Sequence, residues 1–242
     1  MFDHVTIRVS DRAASERFYH TVLVPLAIDK TYRTGIFTEY GDFSVAAADD
    51  ANPLTRRLHV GFAGHSRDQV DNFWRAGTEA GYPNEGAPGP RPEYGDEYYG
   101  AFLLDPDGNS IEAVHHDRVR PGVAVDHLWI RVADVPAAKA FYETVAPHAG
   151  LRLADDRRDR VRFAGDGGSF SLLAGTPTEH LHLAFPTDDD AVIQRFHQAA
   201  TEAGYPSNGP PAERPRYHPG YYAAYVLDPD GNNVEIVNHH RA

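Results

Sequence analysis

The 242-residue chain contains no cysteine, and lysine and arginine are outnumbered by acidic residues, 23 against 35. The absence of cysteine excludes disulfide bonds and thiolate metal ligands. A net charge of −12 argues against a nucleic-acid partner, because phosphate binding requires clustered cations. No apolar run reaches the length of a membrane span, so no membrane partner is predicted. The first residues match neither a signal peptide nor a transit peptide, so the expected location is cytoplasmic.

A repeat with a constant offset of 123 residues runs through the sequence. Three segments recur in register: DHVTIRVSD at 3–11 as DHLWIRVAD at 126–134, TEAGYP at 78–83 and again at 201–206, and LLDPDGNSIE at 103–112 as VLDPDGNNVE at 226–235. Such a match indicates a duplication with almost no net insertion. Proline and glycine interrupt the pattern within 117–123. We therefore predict two tandem domains, 1–119 and 123–242.

Each half divides again into two similar modules. Residues 3–9 alternate as a strand, with Val5, Ile7 and Val9 on one face and His4 and Arg8 among those on the other. Helical spacing follows Asp11, the predicted N-cap, and two or three short strands are predicted next, including 35–39 and 43–48. A strand beginning at 58, a helix over about 68–80, a long Gly/Pro/Tyr-rich loop and strands at 99–104 and 110–116 complete the half. The prediction is an α+β fold with the order β-α-β-β-β twice per half.

Three potential metal ligands in each half lie on the strand faces opposite the apolar residues. They are His4, His59 and Glu112 in the first half, and His127, His182 and Glu235 in the second. Two imidazoles and one carboxylate form the ligand set of a facial triad, which leaves metal positions open for substrate. A single such histidine is more often a hydrogen-bonded core residue, but three ligands retained in both halves favour a metal site. The sequence leaves open whether each triad forms within one half or across both.

The same segments resemble the vicinal oxygen chelate superfamily, which includes glyoxalase I, fosfomycin-resistance transferases, bleomycin-resistance proteins and extradiol dioxygenases. DHVTIRVSD, LHVGF and DPDGNSIE are similar to the first, fifth and eighth strands of such a domain. The resemblance covers nearly the whole chain, once per half. It implies four βαβββ modules forming two tandem domains with cup-shaped mixed sheets. It also implies a divalent metal on the six ligands named above: Fe(II) as the leading choice, with Mn(II), Zn(II) or Ni(II) as alternatives.

Departures from individual members narrow the expected reaction. Glyoxalase I uses a second Glu on the last strand of its first module, whereas FSVAAAD and FSLLAG have none at the centre of that strand. Bleomycin-type binding proteins generally lack the triad, and fosfomycin-type transferases are normally single domains. Extradiol dioxygenases are tandem proteins with a Tyr ten residues before the ligand Glu, which resembles Tyr225, with His218 as the second catalytic candidate. Because Phe102 and Gly95 replace them in the first half, the second half is expected to carry the activity.

The leading hypothesis is therefore a metal-dependent, extradiol-like dioxygenase that acts on a small oxygen-rich metabolite. A metal-dependent lyase, isomerase or thiol transferase of the same superfamily is the first alternative. The second is a resistance or binding protein that sequesters an antibiotic or another metabolite. Arg8, Arg131, Trp129 and Tyr222 are predicted to bind substrate, and the protein is expected to be a monomer or a homodimer.

Overall fold

The computed structural model describes residues 1–117, 119 and 122–240. The predicted joint at 117–123 lies partly outside the described residues, since Arg118, Arg120 and Pro121 are not among them. In the part of the chain that the structure describes, no helix is both long and apolar enough to cross a membrane.

The first half folds as two consecutive βαβββ modules. Their elements are β1 (His4–Val9), α1 (Arg12–Leu23), β2 (Tyr32–Arg33), β3 (Phe37–Tyr40), β4 (Phe43–Ala47), β5 (His59–Ala63), α2 (Arg67–Glu79), β6 (Asn84–Pro90), β7 (Tyr99–Leu104) and β8 (Ser110–His115). A short 3-10 helix, Val24–Leu26, follows α1.

The second half repeats this order. Its elements are β9 (Val125–Val132), α3 (Val135–Ala149), β10 (Arg152–Asp156), β11 (Arg160–Gly165), β12 (Gly168–Ala174), β13 (His182–Pro186), α4 (Asp190–Glu202), β14 (Ser207–Glu213), β15 (Tyr222–Leu227) and β16 (Asn233–Asn238). The predicted α+β class with four βαβββ modules is confirmed.

The chain divides into two compact units that differ from the two sequence repeats. Unit N comprises Thr6–Trp129, and unit C comprises Met1–Val5 together with Ile130–Ala242. The first strand of each repeat therefore changes unit along its length, β1 after Val5 and β9 after Trp129. Among the described residues, the strands form two eight-stranded sheets, one of which contains β1 and the other β9. Their orders are β14-β15-β16-β13-β1-β4-β3-β2 and β10-β11-β12-β9-β5-β8-β7-β6.

Local sequence explains where the helices begin and which face they bury. Asp11 accepts a hydrogen bond from the backbone N–H of Ala14 at 3.0 Å, and Asp134 does the same for Ala137 in the second half. Both are N-caps that satisfy a backbone donor left free in the first turn, so the prediction for Asp11 is confirmed. Behind this cap, Phe18 is among the α1 residues that are completely buried.

The Gly/Pro/Tyr-rich stretch between α2 and β7 is predicted as a loop; the prediction is wrong for 84–90 and confirmed for 91–98, which contain no strand or helix. Residues 84–90 form β6, which pairs antiparallel with β7 through register shifts, and β14 occupies the equivalent place beside β15. Both are edge strands of their sheets. Proline cannot donate a ladder hydrogen bond, but an edge strand leaves one side unpaired and tolerates it.

The strand register brings the ligand-bearing positions together. In unit N, β5 lies parallel to β8 with Gly61 opposite Glu112, and antiparallel to β9 with Gly61 opposite His127. In unit C, β13 lies parallel to β16, which places Ala184 opposite Glu235. Each carboxylate therefore projects from a strand directly beside one that carries a histidine.

Candidate metal centres

Two clusters of three potential ligands form in the structure, one in each compact unit. Site N consists of His59, Glu112 and His127, and site C consists of His4, His182 and Glu235. Each cluster combines ligands from both sequence repeats. The histidine on the first strand of one repeat lies with the histidine and the glutamate of the other repeat. The structure thus favours assembly across the repeats, the alternative that the sequence left open.

Site N is almost completely enclosed. Nε2 of His59 lies 3.0 Å from Oε2 of Glu112, and Nε2 of His127 lies 3.3 Å from the same oxygen. The side chains are 6%, 1% and 9% exposed for His59, Glu112 and His127 respectively. Nε2 of His127 is buried without a hydrogen-bond partner among the described residues.

Site C has similar distances but greater exposure. Nε2 of His182 lies 2.8 Å from Oε2 of Glu235, and Nε2 of His4 lies 3.6 Å from it. The two Nε2 atoms are 3.1 Å apart. Glu235 is 1% exposed, whereas the His4 and His182 side chains are 21% and 22% exposed.

The donor atoms fit one divalent ion in each cluster. Three donors about 2.1 Å from an ion and about 90° apart lie about 3.0 Å from one another. The donor distances given above run from 2.8 to 3.6 Å. The buried Nε2 of His127 has no hydrogen-bond partner among the described residues, and a buried polar atom without a partner is costly. A metal ion would supply that partner, so both donor sets fit a divalent metal.

In each cluster, a carboxylate outside the ligand set accepts a hydrogen bond from Nδ1 of one ligand histidine. Nδ1 of His127 donates to Asp126 at 2.9 Å, and Nδ1 of His4 donates to Asp3 at 2.8 Å. With the proton on Nδ1, the Nε2 lone pair faces the cluster. Carboxylate–histidine pairs of this kind orient metal-binding imidazoles and increase their basicity.

A second histidine holds each of these outer carboxylates. Nε2 of His116 lies 3.1 Å from Asp126, and Nε2 of His239 lies 2.9 Å from Asp3. His116 and His239 occupy equivalent positions of the repeat, so both carboxylates are held between two imidazoles. The Asp-His dipeptide at 3–4 recurs at 126–127, but the partner histidines are distant in sequence, so this arrangement was not predicted.

A tyrosine hydroxyl holds the other oxygen of each ligand carboxylate. Tyr98 donates to Oε1 of Glu112 at 2.8 Å, and Tyr221 donates to Oε1 of Glu235 at 2.7 Å. Each glutamate therefore directs Oε2 towards the histidines while Oε1 is occupied. Tyr-Tyr pairs recur at 98–99 and 221–222, but this role of Tyr98 and Tyr221 was not predicted from them.

The protonation states are those of a cation-binding cluster. Burial alone would raise the pKa of Glu112, but the charge of His127 and the hydrogen bond and charge of His59 lower it to about 2. Burial likewise opposes ionisation of Glu235, yet His182 and His4 lower its pKa. Both carboxylates are therefore ionised at neutral pH despite being buried.

The two histidines of site N differ in the metal-free protein. Burial would lower the pKa of His127, but its hydrogen bond to Asp126 and the carboxylate charge of Glu112, 3.3 Å from Nε2, raise it to about 10. Burial lowers the pKa of His59 and outweighs its bond to Glu112. In the absence of metal, a proton on His127 thus holds the place that a metal would take.

The predicted catalytic residues Tyr225 and His218 take different positions. Tyr225 lies opposite Glu235 in the β15–β16 pair, and its buried hydroxyl has no hydrogen-bond partner among the described residues. His218 lies further from the ligands: its Nε2 is 2.8 Å from Nδ1 of His239, which in turn contacts Asp3. Tyr225 therefore lies beside the cluster, whereas His218 belongs to the series of contacts His218–His239–Asp3 outside the ligand set.

The four predicted substrate-binding residues are not gathered at one place. Trp129 packs on His59 of site N with ring centroids 4.8 Å apart. Arg8 shares a strand face with His4, but a guanidinium nitrogen lies 3.3 Å from the Ala47 carbonyl. The remaining two predicted substrate-binding residues are Arg131 and Tyr222. Arg131 is an exposed residue of β9, and Tyr222 lies on the opposite face of β15 from Tyr225, with Gln194 of α4 as its hydroxyl partner.

Comparison with known families agrees with this architecture. The family model described as the Glyoxalase/Bleomycin resistance protein/Dioxygenase superfamily matches residues 1–113 and 124–236. The chain belongs to this superfamily. The resemblance predicted from the sequence is thus confirmed, and the two matched segments coincide with the two repeats. No protein of curated function is similar enough to be matched to the chain.

Solved structures of the superfamily share the fold over the whole chain. A single-residue variant of glyoxalase I from Zea mays is 20% identical, with 98% of this chain and 92% of that chain covered and a TM-score of 0.72. A predicted dioxygenase from Bacillus subtilis subsp. subtilis strain 168 is 16% identical, with 100% and 86% covered and a TM-score of 0.66. At these identities the likeness establishes the fold and leaves the reaction open.

Proposed function

We propose that the protein is a divalent-metal-dependent enzyme that acts on a small oxygen-rich molecule, with extradiol-like dioxygenation as the leading reaction. One observation supports the proposed metal dependence: two imidazoles and one ionised carboxylate converge in each cluster. Within the described residues, each cluster has three such ligands and no second carboxylate. This composition fits the facial triad of Fe(II) oxygenases, and Mn(II), Zn(II) and Ni(II) are compatible with the same donors.

When bound, such a metal would supply open coordination positions and Lewis acidity toward substrate oxygen atoms. The protein's own part is to hold the donor atoms in place. Asp3 and Asp126 fix one imidazole in each site, and Tyr221 and Tyr98 restrict each carboxylate to one free oxygen. The clusters are therefore arranged before any ligand arrives, which reduces the ordering cost of binding.

Tyr225 supports oxygen chemistry at site C. Burial is the main cause that raises the pKa of its hydroxyl, and the charge of Glu235 adds to it, so the phenol stays protonated at neutral pH. A buried phenol without a partner among the described residues is a donor available to a substrate oxygen. The guanidinium of Arg214 lies over the ring, 5.3 Å from its centroid, and supports this position.

The two halves differ at this point. Phe102 occupies the equivalent position in unit N, with Arg91 over its ring at 5.3 Å. The ring and its cation are retained, but the hydroxyl is absent. We therefore propose that substrate is converted at site C, which draws His4 from the first repeat and its other two ligands from the second. His218 and His239 act there as positioning residues for Asp3.

The proposal is tested with protein purified without oxygen, analysed for metal, reconstituted with Fe(II) and supplied with a panel of catechols. We expect about one O₂ to be consumed per ring opened, with loss of activity in His182→Ala and a large decrease in Tyr225→Phe. Phe102→Tyr is the matched control at the equivalent position and should change little.

Each other outcome selects among the alternatives. Metal binding without O₂ consumption would refute the oxygenase reaction and favour a lyase, isomerase or thiol transferase. Absence of metal, together with tight binding of an unaltered metabolite, would refute the enzyme and favour sequestration.

A further inference from the structure

Sites N and C have the same ligands but different immediate surroundings. The 123-residue offset pairs Gly61 with Ala184, Gly100 with Ala223, Phe102 with Tyr225, and Trp129 with Thr6. Each first-named residue of these pairs adjoins a ligand of site N. These substitutions change the space around a metal ion while leaving the ligand types unchanged.

Two glycines allow the ligands of site N to lie deep in the unit. A methyl group at Gly61 would lie 2.3 Å from the His127 ring, and one at Gly100 would lie 2.6 Å from Oε1 of Glu112. Both distances are shorter than a real Cβ tolerates. His127 and Glu112 therefore occupy the space that a side chain at these positions would fill. At the equivalent positions of the other repeat, Ala184 and Ala223 carry these methyl groups and are fully buried.

An aromatic cover closes site N from the other direction. Trp129 packs on His59 at 4.8 Å and on His127 at 6.1 Å between ring centroids, and Tyr94 packs edge-on against the indole at 5.4 Å. Phe102 lies 6.0 Å from His59. Threonine, with no ring, stands at the position equivalent to Trp129.

The exposure of the ligands agrees with this difference. The imidazoles of site N are less than 10% exposed, whereas those of site C are 21% and 22% exposed. Closed ligand sets are typical of structural metal sites, and sites that keep open positions are typical of catalytic ones.

We infer that site N is a closed metal site that holds its ion without admitting substrate, whereas site C exchanges its ion and is accessible to an external ligand. This inference rests on the proposal that the clusters bind metal. It assigns a structural contribution to site N, because an ion bound only by the folded chain stabilises the fold.

The first experiment measures metal release from the full chain loaded with Zn(II). A chelating dye in excess should remove the two ions in separate phases of equal amplitude, with rates that differ at least about tenfold. We expect His182→Ala to remove the fast phase and His59→Ala to remove the slow phase. Trp129→Thr, which installs the residue of the other repeat, should accelerate only the slow phase. Trp74→Thr on α2 is the control for loss of an indole elsewhere.

A second measurement reports access without requiring turnover. The chain loaded with Fe(III) is titrated with 4-nitrocatechol, whose absorbance changes on coordination, and one molecule should bind per chain that holds two ions. Release at a single rate, two nitrocatechols per chain, or only one metal per chain would overturn the inference and leave the metal proposal standing. Absence of metal from both clusters would instead refute the proposed function. Circular dichroism verifies that each variant is folded.

Discussion

Replacing Asp126, the carboxylate beside the ligand His127, tests whether Asp126 and Asp3 strengthen metal binding by the histidines that they contact. Asp126→Asn keeps the shape of the side chain but replaces an ionised acceptor, 2.9 Å from Nδ1 of His127, with a neutral one. A hydrogen bond to a charged group contributes about 1.5–3 kcal/mol and a neutral one about 0.5–1.5 kcal/mol. The difference of about 1–2 kcal/mol corresponds to a loss of about 5- to 30-fold in metal affinity at site N.

The assay is calorimetric titration with Mn(II) of chains that retain a single site. In a His182→Ala chain only site N should bind, and Asp126→Asn should weaken that binding by the factor given above. Asp3→Asn in the same chain should leave it unchanged, because Asp3 contacts His4 of site C. An unchanged affinity in Asp126→Asn, or equal losses in both variants, would refute the orienting role of these carboxylates.

Four further predictions concern residues in and around the two sites. The pKa of His127 is raised from 6.5 to about 10 in the metal-free chain, so protonated His127 stabilises the fold. This stabilisation should be complete below pH 6.5 and lost as the pH rises through 10, which a decrease in Tm would report. Metal binding at site N must displace that proton, so Mn(II) affinity should increase up to about tenfold per pH unit across this window, and a pH-independent affinity would contradict the assignment. Tyr221→Phe leaves Oε1 of Glu235 without its donor and should lower the free energy of unfolding by about 1–3 kcal/mol in urea. Tyr225→Phe removes a hydroxyl that has no hydrogen-bond partner among the described residues, so it should cost less than about 0.5 kcal/mol. Gly61→Ala should displace His127 and remove one metal per chain, while Ala184→Gly should retain both, as measured by metal analysis of folded protein.

Much of the fold could be predicted from the sequence, because a duplication repeats every local signal. Alternation along 3–9 predicted β1, and Asp11 predicted the start of α1. The Gly/Pro-rich stretch at 84–90 misled the prediction, since its composition is typical of a loop. Its strand conformation depends on pairing with β7, which is a tertiary contact that local composition does not contain.

The ligand positions could be predicted but their grouping could not. Strand alternation indicates the face on which His4 or His127 lies, yet it does not indicate which strand will be its neighbour. That neighbour is set by pairing between distant strands, β9 with β5 in the case of His127. The positions of Asp126, Tyr98 and Gly61 around the ligands depend on the same pairing, which explains why their roles emerged only in three dimensions.

Metal content of two double variants tests the central claim most directly. If His4 and His182 serve one ion and His59 and His127 serve another, His4→Ala with His182→Ala should retain one metal per folded chain. His4→Ala with His59→Ala should retain none, because it removes one ligand from each site. The opposite pattern, with one metal in the His4/His59 variant and none in the His4/His182 variant, would contradict the account.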